Sequence, residues 1–102
     1  MRIQRASYLT DLNDYRMEIE EIDKSIIELI DKRIGITKKI FEVKRKEKRP
    51  IRDPDQEGRV LRRAMDLASE RNLDAGAIKN IYEILIRMST QKQQELQGEN
   101  QS

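Results

Sequence analysis

The chain has 102 residues, 39% charged and 36% hydrophobic, with 21 Lys and Arg against 19 Asp and Glu for a formal net charge of +2. That length fits one modest domain, no apolar run approaches the roughly 20 residues of a membrane-spanning helix, and the charge balance alone does not call for nucleic acid. Cys and His are both absent, which excludes disulfides, thiolate chemistry, imidazole metal sites and Ser-His-Asp catalysis.

Residues 1–14 lack the 7–15-residue apolar core of a secretory signal, so a cytoplasmic protein is expected. The first predicted helix runs from about Thr10 to about Lys46. Thr10 is the expected N-cap, with Asp11 and Asp14 near the positive helix end. Its apolar seam reads Tyr15, Ile19, Ile22, Ile26, Leu29, then Ile36, Ile40 and Val43, alternating four and three residues as a heptad does. Between Leu29 and Ile36 the pattern needs an apolar residue and has Arg33 instead. Gly35 costs about 1 kcal/mol in mid-helix, and a break there would give a monomeric bundle.

Pro50 closes the first helix, because the residue before proline avoids the α region. Asp53 is the expected cap of a second helix over Pro54–Glu70, with Pro54 at N1 and Gln56 at N3 placed to close a capping box. Its apolar face is Val60, Leu61, Ala64, Leu67 and Ala68. Asp74 is the expected cap of a third helix from about Ala75 to Leu96. That helix carries Ile78, Ile81, Tyr82 and Leu85, and its stripe continues into Ser89 and Gln93. Residues 97–102 are expected to fray. The whole reads as a single all-α domain over residues 1–102, three helices with a long first one.

A helix of about 37 residues is about 55 Å long, whereas a compact chain of this size has a radius of gyration of about 13 Å. The seam therefore needs a partner, and a second copy related by twofold symmetry is the economical one, which predicts an intertwined helical homodimer.

The polar residues on apolar stripes carry the functional signal. A buried Arg33 needs an anion, from an internal carboxylate or from a ligand. Lys44 lies 11 residues on, within about 20° of the same face and about 16 Å along the axis, with Thr37 and Ile40 between. Ser89 and Gln93 share a face four residues apart, as do Asp53 and Glu57. Alone, Lys44 reads as solvated, Asp53 as a cap and Ser89 as a helix-end polar residue. Together they read as a binding site in a helical bundle. The basic run Lys44–Arg52 offers an alternative, a helical nucleic-acid-binding or interaction protein. No aromatic interleaves it, however, so base stacking is poorly served.

Tyr15-Arg16 with Ile22-Asp23, Asp31-Lys32-Arg33, Val43-Lys44, Arg49-Pro50-Ile51-Arg52-Asp53 through Glu57, and Ser89 with Gln93 resemble, in this order and spacing, the all-helical chorismate mutases. The resemblance covers about Asp11 to Leu96. It implies an enzyme of phenylalanine and tyrosine biosynthesis that rearranges chorismate to prephenate, as an intertwined dimer of three-helix chains with two equivalent sites and no metal or cofactor. By the same resemblance Arg33 binds one substrate carboxylate and Arg16 of the other subunit binds the second. One helix separates these two by about 25 Å, too far for a small ligand to touch both within one chain. Lys44 and Gln93 would hydrogen-bond the ether oxygen of the breaking bond, Asp53 and Glu57 the ring hydroxyl, and Ser89 would support a carboxylate contact. Gln56 departs from the family, which often has a basic residue there, and Arg59 is the expected substitute. A related pericyclic lyase acting on isochorismate is the alternative enzyme, since its carboxylate clamp would look alike.

Overall fold

The computed structural model describes the backbone of residues 7–101 and the side chains of residues 11–99. It holds three helices, α1 (Ser7–Lys46), α2 (Pro54–Glu70) and α3 (Ala75–Gln101), and no strand among the described residues. None of the helices is long and apolar enough to cross a membrane among the residues described.

Helix α1 begins before Thr10, so that residue lies inside the helix and is not its N-cap; its side chain is outside those described. The helix runs through Gly35 without a break, and a Cβ there would meet nothing within 4 Å. Helix α3 continues five residues beyond the expected end at Leu96. The added residues are Gln97, Gly98, Glu99, Asn100 and Gln101, and Gln and Glu propagate a helix well enough to carry it past one glycine and one asparagine. Residue 102 of the expected frayed tail lies outside the described residues.

Two compact units divide the chain, one up to Lys32 and one from Arg33 onward. In the first, the seam is uncovered in the single chain: Tyr15, Ile19, Ile22, Ile26 and Leu29 are between 47% and 64% exposed. The second unit contains the last turns of α1 with α2 and α3. Its apolar core is Phe41, Val60, Ala64 and Ala68. The three α2 members sit at four-residue spacing on one stripe, and their small side chains suit close packing of α2 on α3. Leu67 and Ile81, expected on buried faces, are about half exposed.

In this unit α1 carries two adjacent faces. Arg33, Thr37, Phe41 and Lys44 fall within about 80° of one another around the helix, and none of the four is exposed. The heptad seam residues Ile36, Ile40 and Val43 remain exposed, at 45% to 52%. The heptad therefore does not describe the face packed within the chain.

Both connections end the preceding helix in the same way. Arg49 N–H donates to the Lys44 carbonyl and Lys48 N–H to Arg45, at 2.8 and 3.2 Å; Leu73 N–H donates to Ala68 and Asn72 N–H to Ser69, at 2.8 and 3.1 Å. These are Schellman closures, with Lys48 and Asn72 in the left-handed conformation at φ 57°. They deliver the chain to the caps of the next helices: Asp53 Oδ1 accepts from Gln56 N at 3.2 Å, and Asp74 Oδ1 from Ala77 N at 3.1 Å.

Candidate active site

A cavity of about 340 Å³ lies between the last turns of α1, the start of α2 and the middle of α3. Arg33, Lys44, Asp53, Glu57, Ser89 and Gln93 all line it. Arg16 does not. It belongs to the stretch of α1 before Arg33 and is exposed.

Arg33 is fixed by side chains and backbone. Its NH1 donates to Ser89 Oγ at 2.8 Å and to the Leu85 carbonyl at 3.4 Å. Thr37 Oγ1, buried, lies 3.0 Å from the Arg33 carbonyl and 3.1 Å from Ser89 Oγ. Each hydroxyl has one hydrogen, so one arrangement uses both: Ser89 donates to Thr37, and Thr37 donates to the Arg33 carbonyl. The loop closes on Arg33 itself. Both NH1 hydrogens are spent on neutral acceptors, while the Nε and NH2 edge, the pair that grips a carboxylate side-on, has no partner among the described residues.

At the other end Lys44 Nζ donates to the Ile51 carbonyl at 2.6 Å, which ties the lysine to the connection before α2. Two ammonium hydrogens are left over. Gln93, 6% exposed, donates weakly from Nε2 to the Ser89 carbonyl at 3.4 Å. Its Oε1 is buried without a hydrogen-bond partner among the described residues. Leaving a buried amide oxygen unpaired costs about 1–3 kcal/mol.

Glu57 is also shared by a second cavity, of about 320 Å³, lined by Arg52. Arg52 Nε and NH2 donate to the two Glu57 carboxylate oxygens at 2.8 and 2.9 Å. That side-on fork leaves each oxygen with acceptor capacity toward the first cavity. The hydrogen bonds to Glu57, and then its negative charge, raise the exposed Arg52 guanidinium above its ordinary pKa.

Two expectations about α2 fail. Gln56 does not close a capping box, because its Oε1 accepts from Arg59 Nε at 2.9 Å. Arg59 is thereby held against Gln56 and does not line the cavity; Arg63 does. Sequence reasoning gave no site role to Thr37, Arg52 or Arg63. A signal existed for Thr37, whose position one turn after Arg33 puts it on the same stripe. Nothing in the sequence separates Arg63 from its neighbours Arg59 and Arg62.

A family model described as chorismate mutase type II matches residues 15–94. The chorismate mutase of Methanocaldococcus jannaschii is 33% identical over 91 residues, 89% of this chain and 92% of that protein. A bifunctional chorismate mutase/prephenate dehydratase of Buchnera aphidicola subsp. Schizaphis graminum is 35% identical over 86 residues, 84% of this chain. The protein of that description from Escherichia coli K12 is 30% identical over 81 residues. The chain spans about a fifth of the length of these two bifunctional relatives, 22% and 21% of each.

Proposed function

This chain belongs to the chorismate mutase type II family, and we propose that it is an isomerase that rearranges chorismate to prephenate in the cavity between α1, α2 and α3. The observation that carries this reading is the state of the two cations at the cavity's ends. Among the described residues Arg33 and Lys44 have only neutral hydrogen-bond partners, Ser89, Leu85 and Ile51, and neither pairs with the cavity's own carboxylates, Asp53 and Glu57, which leaves both cations able to meet an anionic ligand.

The reaction is a unimolecular [3,3] rearrangement. One C–O bond breaks as one C–C bond forms, no proton moves and no covalent intermediate arises. The protein's task is to hold a flexible dianion in its compact reactive shape and to meet the negative charge that builds on the ether oxygen. Arg33 offers its Nε and NH2 edge to one carboxylate, with Ser89 and Thr37 fixing the guanidinium. Lys44 and the Gln93 amide donate to the ether oxygen. Asp53 and Glu57 hold the ring hydroxyl, with Glu57 as acceptor because Arg52 already donates to both its oxygens.

The second carboxylate falls to Arg16 of a partner subunit in an intertwined homodimer. Supporting this is the uncovered seam from Tyr15 to Leu29, whose half-exposed side chains each gain roughly 1 kcal/mol on complete burial. Aromatic amino-acid biosynthesis in the cytoplasm is the setting. The bifunctional relatives carry, by name, a prephenate dehydratase on the same chain, an activity that would consume the proposed product.

The test is loss of chorismate ultraviolet absorbance with chromatographic identification of the product, beside Arg33→Ala checked for intact helicity and association state. Prephenate from the wild type with little from the folded variant supports both reaction and site. A folded wild type that turns over isochorismate and not chorismate replaces the mutase with the related lyase, and one that turns over neither removes the activity.

A further inference from the structure

The cavity holds one more cation than the mechanism above uses. Its two acids have partners other than the cavity's cations: Asp53 Oδ1 accepts from the Gln56 backbone and Glu57 from the Arg52 fork. Arg33 and Lys44 donate to neutral groups. Arg63 also lines the cavity. Asp66 sits three residues on, a spacing at which helix pairs form, yet no ion pair joins the two, nor does any acid meet Arg63 among the described residues. Gln56 lies two helical turns earlier on the same face. It is a neutral amide with its oxygen taken by Arg59, so it brings no charge to this wall.

The chain path places Arg63 within the cavity. Lys44 and Asp53 flank the short connection, and Lys44 is bonded to it through the Ile51 carbonyl. From there Arg33 lies 11 residues back along α1, about 16 Å, and Arg63 lies 10 residues forward along α2, about 15 Å. Both lengths line one cavity, and Arg33 on α1 and Arg63 on α2 are the lining residues of their helices that lie farthest from this connection.

We propose that Arg63 is a substrate-binding residue that grips, from the α2 side, the same ligand carboxylate that Arg33 meets from α1. The ligand's identity rests on the chorismate reading; the site itself is for the carboxylate end of a small dianion. Arg33 has one free edge after its bonds to Ser89 and Leu85, and a carboxylate with about four acceptor positions accommodates a second fork. Arg63 is exposed and uncommitted, so it can close on the ligand after entry. It therefore contributes to binding in ground and transition states alike, which moves KM more than kcat.

Two measurements on the full chain test this. In steady-state kinetics with chorismate, Arg63→Ala raises KM about tenfold, the scale of one charged hydrogen bond, with kcat within about threefold. Arg63→Lys recovers part of the loss, as a point charge without the fork. Arg62→Ala, the adjacent arginine that does not line the cavity, stays at wild-type values. In calorimetry, an unreactive cyclic ether dicarboxylate is compared with its two monoamides. Arg63→Ala weakens the diacid about tenfold and leaves untouched the monoamide to which Arg33→Ala is also indifferent, a coincidence that general destabilisation would not produce. Wild-type affinity of Arg63→Ala for the diacid, or equal weakening of both monoamides, overturns the proposal. A wild type that binds the diacid but does not convert chorismate removes the mutase reading and leaves the calorimetric test of Arg63 intact.

Discussion

Helix α1 carries one heptad along its length, yet its two stretches do different work. Up to Lys32 the seam is wholly apolar and is left uncovered by the single chain. From Arg33 the seam continues as Ile36, Ile40 and Val43, while the helix turns a second face, with Arg33, Thr37, Phe41 and Lys44, into a cavity and a small core. The difference teaches how to read a misplaced polar residue. An uninterrupted apolar seam asks only for another apolar surface. A charge on that stripe incurs a desolvation cost that apolar surface cannot offset, so it persists only where polar partners meet it, as Ser89 and the Leu85 carbonyl meet Arg33.

The sharpest test of that contrast is to remove the cations of the second stretch. Lys44→Ala and Arg33→Ala should each lower kcat by about 10²–10³, by analogy with losing one transition-state donor, while circular dichroism and sedimentation stay unchanged. Near-normal kcat/KM in either folded variant would remove that residue from the site. Next comes the first stretch. Ile22→Glu puts a charge on the uncovered seam, and sedimentation should then report a lighter species, with activity lost because the Arg16 proposed to complete a partner's cavity would no longer reach it. Breaking both stretches at once, in different chains, joins them: Arg16→Ala and Arg33→Ala are each inactive, but equilibrated together in equal amounts they should regain about a quarter of wild-type activity. Half the dimers are then mixed, and twofold symmetry gives each of these one intact site. A mixture that stays inactive while subunits exchange would show that Arg16 is not shared. A smaller effect is expected for Thr37→Val, which keeps the shape and loses the hydroxyl. Ser89 then donates to nothing and Arg33 is less firmly held, for roughly 1 kcal/mol of stability and a few-fold in kcat/KM.

How far the sequence led follows the same physics. Arg33 was legible because it interrupts a pattern, as were Ser89 and Gln93 on an apolar stripe, and Asp53 because caps have a local signature. Phe41 was not, since it lies off the heptad on a face whose burial depends on how α2 and α3 close against α1. Arg63 was invisible for a related reason. Three arginines occur within five positions of α2, and only the packing of that helix decides that position 63 faces the cavity while Arg59 turns back to Gln56. Gln56 itself had two local partners within reach, the Asp53 backbone and the Arg59 side chain, and a charged donor generally makes the stronger bond. The inner helix ends, Lys46, Pro54, Glu70 and Ala75, fell where proline and the Asp caps indicate, while the two outer ends were the least legible: α1 starts before Thr10 and α3 runs past Leu96.

The smallest expected effect concerns the turn that joins the second stretch of α1 to α2, and it is a gain. Lys48 and Asn72 hold the same left-handed position in two Schellman closures. Asn tolerates that conformation, whereas a lysine Cβ is crowded there by roughly 1–2 kcal/mol. Glycine at position 48 removes the crowding but adds freedom to the unfolded chain, which takes back roughly 0.4–1 kcal/mol. Lys48→Gly should therefore stabilise the protein by about 0.5–1 kcal/mol, a rise of roughly 2–6 °C in Tm for a chain of this size. Asn72→Gly should leave Tm within about 2 °C of the wild type, since there is less crowding to relieve. Lys48 does not line the cavity, so kcat/KM should not change. A fall in kcat/KM for Lys48→Gly without loss of stability would mean that the turn sets more than the helix end. Its hydrogen bond from Arg49 closes on the carbonyl of Lys44, and Lys44 in turn reaches forward to Ile51. Loosening the turn would then loosen the ammonium proposed to meet the ether oxygen.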